Sequence, residues 1–300
     1  MLEDKRYGVE HALNMYAYSF ALLPAESIYD SAAINTIKPV TDNCHIYLIG
    51  FVPRVTLINA REIDDALELT LEVFGESHTV ELPMPEGSKL VFENEVWFVQ
   101  LQSGEKVWPS GAEISTIFHG RVRELHFDVQ YIGQAYGADG SRNAIDRLLS
   151  HEKLQKISLQ GVPDDHYLAL LLLEVEPNTT VITLLNGMAT ESAEDEARID
   201  SGLDKLFGTS EQERISIYEA SLIRYFEPKF NLEFKNSFPS TRLKILQDCY
   251  EKDFASVIAE ICIDELPFRL CSEKIEPKFY HTAVFDLHKE SDRKVFFSKP

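Results

Sequence analysis

The sequence predicts an α+β protein, in which a mostly β N-terminal part precedes a mixed segment of strands and helices. Three observations predict it. Residues 35–107 hold short strand-like runs, HIYLIGFV, VTLINA, LELTLEVFG, HTVELPM, KLVFEN and VWFVQLQ, separated by turn signals such as Pro-Glu-Gly and Ser-Gly-Glu. Beyond Pro109-Ser110-Gly111 the texture changes to strand, helix, strand. Behind these stands the run SEQERISIYEASLIRYF, whose Ser210 and Glu213 have the spacing of a capping box.

In chain order, residues 1–110 are expected to form a mostly β domain for recognition or interaction. Residues 111–240 open with the strand HFDVQYIG and a glycine-bearing turn, YGADG. A helix follows, with Ser141 as N-cap and Ile145, Leu148 and Leu149 on one face to about Lys156. Next come the apolar strand YLALLLLEVE, closed by Pro177, and an exposed acidic loop and helix inserted near 187–208. The capped helix then has to end before Pro228. Residues 241–300 return to strand-like runs, VIAEICID, FRLCSEKI, YHTAVFDL and KVFFS, after one amphipathic helix near 240–249. They complete the N-terminal β part or pack on the middle segment.

A chain of 300 residues has room for two domains with substantial cores, and 44% hydrophobic and 26% charged residues are ordinary for a folded protein. The first residues, MLEDKRYGVEH, lack an apolar signal region, and the longest apolar run, 167–173, is far below a membrane span. The expected location is the cytoplasm, with no membrane partner. Cys44, Cys249, Cys262 and Cys271 form no CxxC pair and no finger-like spacing with histidine, so free, mostly buried thiols are expected. Neither a GxxxxGK[ST] nor a GxGxxG order occurs, which argues against nucleotide-dependent chemistry.

A formal charge of −20 opposes strong non-specific binding to a duplex, which requires neutralising phosphates. About half of the deficit lies in residues 1–111. An acidic body can still carry a local basic cleft, and the acidic N-terminal half is suited to a basic protein partner.

The chemistry-bearing residues start from Glu219. Ile215 stands four residues before it, and Leu222, Ile223 and Phe226 stand three, four and seven after, so its carboxylate shares the apolar face of the helix. A buried carboxylate is costly unless it is paired, hydrogen-bonded or bound to a metal. Downstream the words are Glu-Ala-Ser-Leu-Ile-Arg-Tyr-Phe-Glu-Pro-Lys-Phe-Asn, ending at Asn231, and upstream stands the tripeptide Tyr131-Ile132-Gly133. Between them Arg147 and His151 are four apart.

In that order these segments resemble the GIY-YIG nuclease superfamily, over about 120 of the 300 residues. The resemblance implies a small antiparallel sheet flanked by helices, and a metal-dependent endonuclease that hydrolyses phosphodiester bonds of DNA. Restriction or mobile-element (antiviral) defence is the setting that the Arg-to-His spacing suggests. It further implies that Glu219 binds Mg²⁺ or Mn²⁺, Arg147 holds the scissile phosphate, Tyr131 positions water or phosphate, and His151 assists as donor or proton carrier. Asn231 would brace the Glu219 side from behind, and Arg142, Lys153 and Lys156 would contact nucleic acid.

The GIY half of the signature is not found at the usual short distance before YIG. His119, in TIFHGRVREL, stands there and is one candidate base, since imidazole titrates nearer neutrality than phenol. Tyr47, in Cys-His-Ile-Tyr-Leu-Ile-Gly, is another, and it requires the β part to be a very large insertion between the first two strands. A missing base is the third. It would make the chain a catalytically weak or inactive module of the same fold, acting as a binding or regulatory subunit. Tyr136, after YIG, adds a further hydroxyl.

Overall fold

The run HIYLIGFV is apolar at nearly every position, and such a strand is stable only with both faces covered. In the computed structural model, which describes residues 5–109, 114, 125–137, 143–176, 180–239, 243–266 and 268–294, it forms β2 (Ile46–Pro53). It lies between β9 (His126–Gln134) and β10 (His166–Val175), antiparallel to both.

These strands belong to an eight-stranded sheet in the order β13, β9, β2, β10, β1, β12, β14, with β11 also on β1. Strand β1 (Val9–Pro24) is long enough to pair β11 (Thr180–Leu185) through its first half and β10 through its second. On its other side runs β12 (Ser256–Cys262), parallel to it, followed by β14 (Tyr280–Asp286). Three-residue β13 (Arg269–Cys271) covers only the first residues of β9.

Alternation along the strands divides the apolar residues between two cores. Ile46, Leu48, Leu171 and Leu173 pack under α5 (Glu211–Phe226) and α6 (Lys244–Glu251). Tyr47, Ile49, Leu170 and Leu172 pack on the other face, under α1 (Ser31–Thr41), α2 (Ala144–Leu148) and α3 (Glu152–Leu159). Each fully buried leucine of β10 contributes about 2 kcal/mol by removal of its surface from water. The fold is therefore mixed α and β, built on one large sheet.

Between β2 and β9, which are neighbours in that sheet, the chain inserts two small antiparallel sheets. One is β3 (Thr56–Ile63), β4 (Ala66–Val73) and β5 (Glu76–Pro83); the other is β6 (Lys89–Glu93), β7 (Val96–Gln100) and β8 (Lys106–Val107). The expected boundary near residue 110 is corrected by this pairing, because β1 and β2 from the first segment lie in the same sheet as β9 and β10. The boundary at 240 is corrected likewise, since β12, β13 and β14 join that sheet too. Strand pairing between distant segments leaves no local mark in the sequence, whereas the change of texture at 109–111 does.

Two local expectations also change, and a third falls outside the described residues. The single helix expected over 141–156 is two, broken between Leu148 and Glu152; its first cap is Asn143, and Ser141 lies outside the described residues. Second, α4 (Asp195–Gly208), which carries much of the acidic stretch, is not a fully solvated insertion, because Arg198 and Lys205 are buried. Arg198 reaches Glu10 at 2.7 Å and Asp253 at 2.6 Å, while Arg293 reaches Glu10 at 3.0 Å and Asp253 at 2.6 Å. These pairs tie β1, α4 and both ends of the described chain together. Last, the strand-like run KVFFS falls almost wholly outside the described residues.

The capping box of α5 forms as expected: the Ser210 hydroxyl accepts from the Glu213 N–H, and the Glu213 carboxylate accepts from the Ser210 N–H. Glu227 ends the helix in a left-handed conformation, immediately before Pro228. The four cysteines are free thiols, with Cys44, Cys249 and Cys271 buried. Among the described residues no helix is long and apolar enough to cross a membrane.

Candidate active site

Strand β9 alternates normally until Gln130, where its register against β2 slips. Ile49 opposes Tyr131, but the next residue, Gly50, opposes Val129. Gln130 is thus an extra residue, and such a bulge reverses the facing of the residues beyond it. Phe127 and Val129 lie in the core under α5, whereas Tyr131 packs with Tyr47 and Ile49 on the opposite side. The bulge is what aims Tyr131 at α2 and α3.

Tyr47 lies directly across from Gly133. Its ring stacks on that of Tyr131, with centroids 6.3 Å apart and planes at 30°. His151 closes the group edge-on, 5.4 Å from the Tyr47 ring and 5.3 Å from that of Tyr131. It does so because it caps α3: its Nδ1 accepts the Leu154 N–H at 3.2 Å. A ring nitrogen that accepts carries no hydrogen, so this network assigns the proton of the neutral ring to Nε2. The Nε2–H then donates to the Tyr47 hydroxyl oxygen at 2.9 Å. His151 is therefore a helix N-cap, not a residue on a continuous helix one turn beyond Arg147.

The other wall comes from α5 and the chain beyond it. Glu219 is half-buried there, and its carboxyl is pushed up to about 8. Burial is the main cause and the Glu233 carboxylate the second, while the backbone and side-chain amides of Gln134 act in the opposite direction. The Gln134 side-chain oxygen accepts from Ser216 at 3.5 Å, which leaves its N–H groups for Glu219. Between the walls is a cavity of about 500 Å³ lined by Tyr47, Tyr131, Arg147, Lys153 and Glu219, among others. Burial drives the phenols of Tyr47 and Tyr131 above their ordinary range, and the nearby Arg147 guanidinium draws both back.

Asn231 also lines this cavity, and its side chain behaves as a piece of missing strand. Its oxygen accepts from the Ile132 N–H at 2.9 Å and its amide donates to the Ile132 carbonyl at 2.8 Å. The Phe230 N–H donates to the Gln130 carbonyl at 3.0 Å. Segment 230–231 thus occupies the edge of β9 that β13 leaves bare. Asn231 braces the tyrosine strand and not the Glu219 side, which corrects the role expected for it.

The structure brings together Tyr131, Arg147, Glu219, Asn231 and Lys153 with Tyr47, one of the two candidate bases, around this cavity, and sets His151 against Tyr47. Lys156 is exposed on α3 away from the cavity lining. His119 and Arg142 lie outside the described residues. Tyr136 is turned aside, its hydroxyl donating to Glu211 at 2.8 Å and its ring set against His45. Gln134 and Glu233 are cavity residues that sequence reasoning missed. Gln134 directly follows Gly133, a usable signal; Glu233 gave none.

Among the described residues no group of three or more His, Cys, Asp or Glu side chains is gathered for a metal. The site nonetheless fits a hard divalent cation held by few protein oxygens, since such ions keep several waters and need only one or two carboxylates beside substrate oxygens. Glu219 meets that need: its carboxylate is half-buried, faces a second carboxylate, and has no ion-pair partner among the described residues.

Comparison with known proteins finds no matching family model, no matching curated protein and no matching solved structure.

Proposed function

We propose that the chain is a metal-dependent endonuclease of the GIY-YIG type that hydrolyses phosphodiester bonds of DNA, with Tyr47 standing for the tyrosine of the first half-signature. The observation that carries this reading is the convergence of Tyr47, Tyr131, Arg147 and Glu219 around one cavity, although they come from β2, β9, α2 and α5, with His151 at the cap of α3 set against both tyrosines. A cation on Glu219, Mg²⁺ or Mn²⁺, would supply charge stabilisation at the phosphate and the leaving oxygen.

The remaining steps belong to the chain's own residues. Arg147 offers a planar donor fork to a non-bridging phosphate oxygen, and Lys153 adds a second positive charge on the same wall. Tyr47 first releases its phenolic proton to solvent through the cavity and, as phenolate, accepts a proton from the attacking water. Burial opposes that form, while the His151 N–H and Arg147 favour it. Water adds to phosphorus, the P–O bond to the leaving group breaks, and the departing oxygen takes a proton from solvent. Tyr131, stacked on Tyr47, orients water or phosphate through its hydroxyl. The β3–β8 insertion is suited to recognising target or partner, and defence against foreign DNA is the biological setting favoured by analogy.

The test is cleavage of plasmid, single-stranded DNA and RNA by the purified chain with Mg²⁺ or Mn²⁺, beside Tyr47→Phe, Arg147→Ala and Glu219→Ala. DNA cleavage abolished in all three folded variants supports the reading. A folded wild type that cuts nothing with either ion would transfer support to a binding module.

A further inference from the structure

Glu233 has no part in the hydrolytic chemistry, yet it lines the same cavity as Glu219. Its position is fixed by the residues before it. Asn231, two residues earlier, is clamped to Ile132 through both atoms of its amide, and Phe230 is bonded to Gln130. The Lys235 N–H donates to the Glu233 carbonyl at 2.8 Å, so the backbone bearing Glu233 is held on its other side as well. The carboxylate is exposed to solvent and makes no salt bridge among the described residues.

Two carboxylates that line one cavity offer it a pair of oxygen donor groups suited to a hard cation. Arg147 and Lys153 line the cavity too, but neither forms an ion pair with Glu219 or Glu233. We infer that Glu233 is the second carboxylate of the divalent-cation site, binding from the solvent side the ion that Glu219 binds from the α5 side. This inference rests on the metal-dependent reading of the cavity. Two carboxylates match the charge of one divalent ion, which leaves Arg147 and Lys153 uncommitted for the substrate phosphate. Hard cations of this size commonly take one or two carboxylates and complete their shell with water and phosphate oxygens.

The test is Mn²⁺ binding to the full chain without nucleic acid, read at pH 8 by the electron paramagnetic resonance signal of free Mn²⁺. Wild type is compared with Glu233→Gln, Glu219→Gln and Glu227→Gln, each checked by circular dichroism and melting in chelator. Glu227 is an acid on the same segment that pairs with Arg224 and lies outside the cavity lining. The expected result is one Mn²⁺ on wild type, about tenfold or greater weakening in Glu233→Gln, loss in Glu219→Gln, and wild-type affinity in Glu227→Gln. Wild-type affinity in Glu233→Gln, with Glu219→Gln impaired, overturns this inference and leaves the nuclease reading standing. Equal weakening in Glu233→Gln and Glu227→Gln overturns it also, by showing diffuse charge instead of ligation. A wild type that binds no Mn²⁺ overturns both.

Discussion

A Cβ placed on Gly133 would stand 2.5 Å from the hydroxyl oxygen of Tyr47 and 2.9 Å from the ring of Tyr131. The glycine of Tyr131-Ile132-Gly133 is thus the space into which the Tyr47 side chain reaches across the sheet. Its requirement is steric and not conformational, because Gly133 is not among the residues of positive φ. Gly133→Ala should displace the Tyr47 ring, break its hydrogen bond to His151 and cost about 1–3 kcal/mol in overpacking. Thermal melts and cleavage rates measured together would check this. An alanine variant with full activity would show that Tyr47 need not lie where it does.

Tyr47→Phe keeps the ring in its core and removes only the hydroxyl that His151 contacts. Loss of a general base is expected to lower the cleavage rate about 10²- to 10⁴-fold with little change in melting temperature. His151→Ala removes the Nε2–H and also the cap of α3. It should therefore lower activity and reduce stability by about 1 kcal/mol. His151→Asn preserves a capping oxygen, and should recover the stability without the activity. Single-turnover rates on one DNA substrate, with denaturant melts of each variant, separate the two effects.

The raised Glu219 carboxyl has a consequence for the metal-free protein. Its folded value, about 8, exceeds the ordinary 4.5, so the neutral form is the one the fold favours. The stability this contributes is complete below pH 4.5 and is lost as pH rises through 8. In chelator, Glu219→Gln should melt with wild type near pH 5 and above it at pH 8.5, the gap opening between those values. Mn²⁺ added at pH 8.5 should raise the wild type and not the variant. Parallel melting curves across the whole range would contradict the burial assigned to this carboxylate.

Glu10 is almost fully buried between Arg198 and Arg293, and Asp253 joins both from the other side. Removing one cation leaves an uncompensated buried charge, so Arg198→Ala or Arg293→Ala should destabilise by about 3–5 kcal/mol. The double variant should cost less than the sum, because the two share Glu10 and Asp253. Urea unfolding of the two single variants and the double variant measures this, and strict additivity would contradict a shared network.

How much of the fold and the cavity is legible in the sequence depends on whether the cause is local. Ser210 and Glu213 announce α5, and Glu219 on its apolar face announces a carboxylate in need of a partner; both follow from spacing within one helix. The chain cannot display in the same way that Tyr47 meets Gly133, because the two lie far apart along it and the contact exists only through the β2–β9 register. The same holds for Gln130. Nothing in HFDVQYIG marks it as the extra residue, yet it decides which face Tyr131 adopts. Spacing alone puts His151 one turn past Arg147, and the break after Leu148 instead makes it a cap whose outer nitrogen is presented to Tyr47. The cavity is assembled by pairing and by a broken helix, and neither is written as periodicity.

The insertion between β2 and β9 bears on how the site is assembled in time. Two strands that would otherwise meet through a tight hairpin must close a loop spanning residues 54–125. The entropy of closure grows only logarithmically, about 0.6 kcal/mol for each doubling of length, so this detour adds a few kcal/mol at most. Once the β3–β5 and β6–β8 sheets form from their own short-range pairings, much of the loop is no longer free chain. An insertion that folds on its own pairings would act as an internal splint, shortening the free chain between the strands that carry Tyr47 and Tyr131 and so contributing to how the cavity is built.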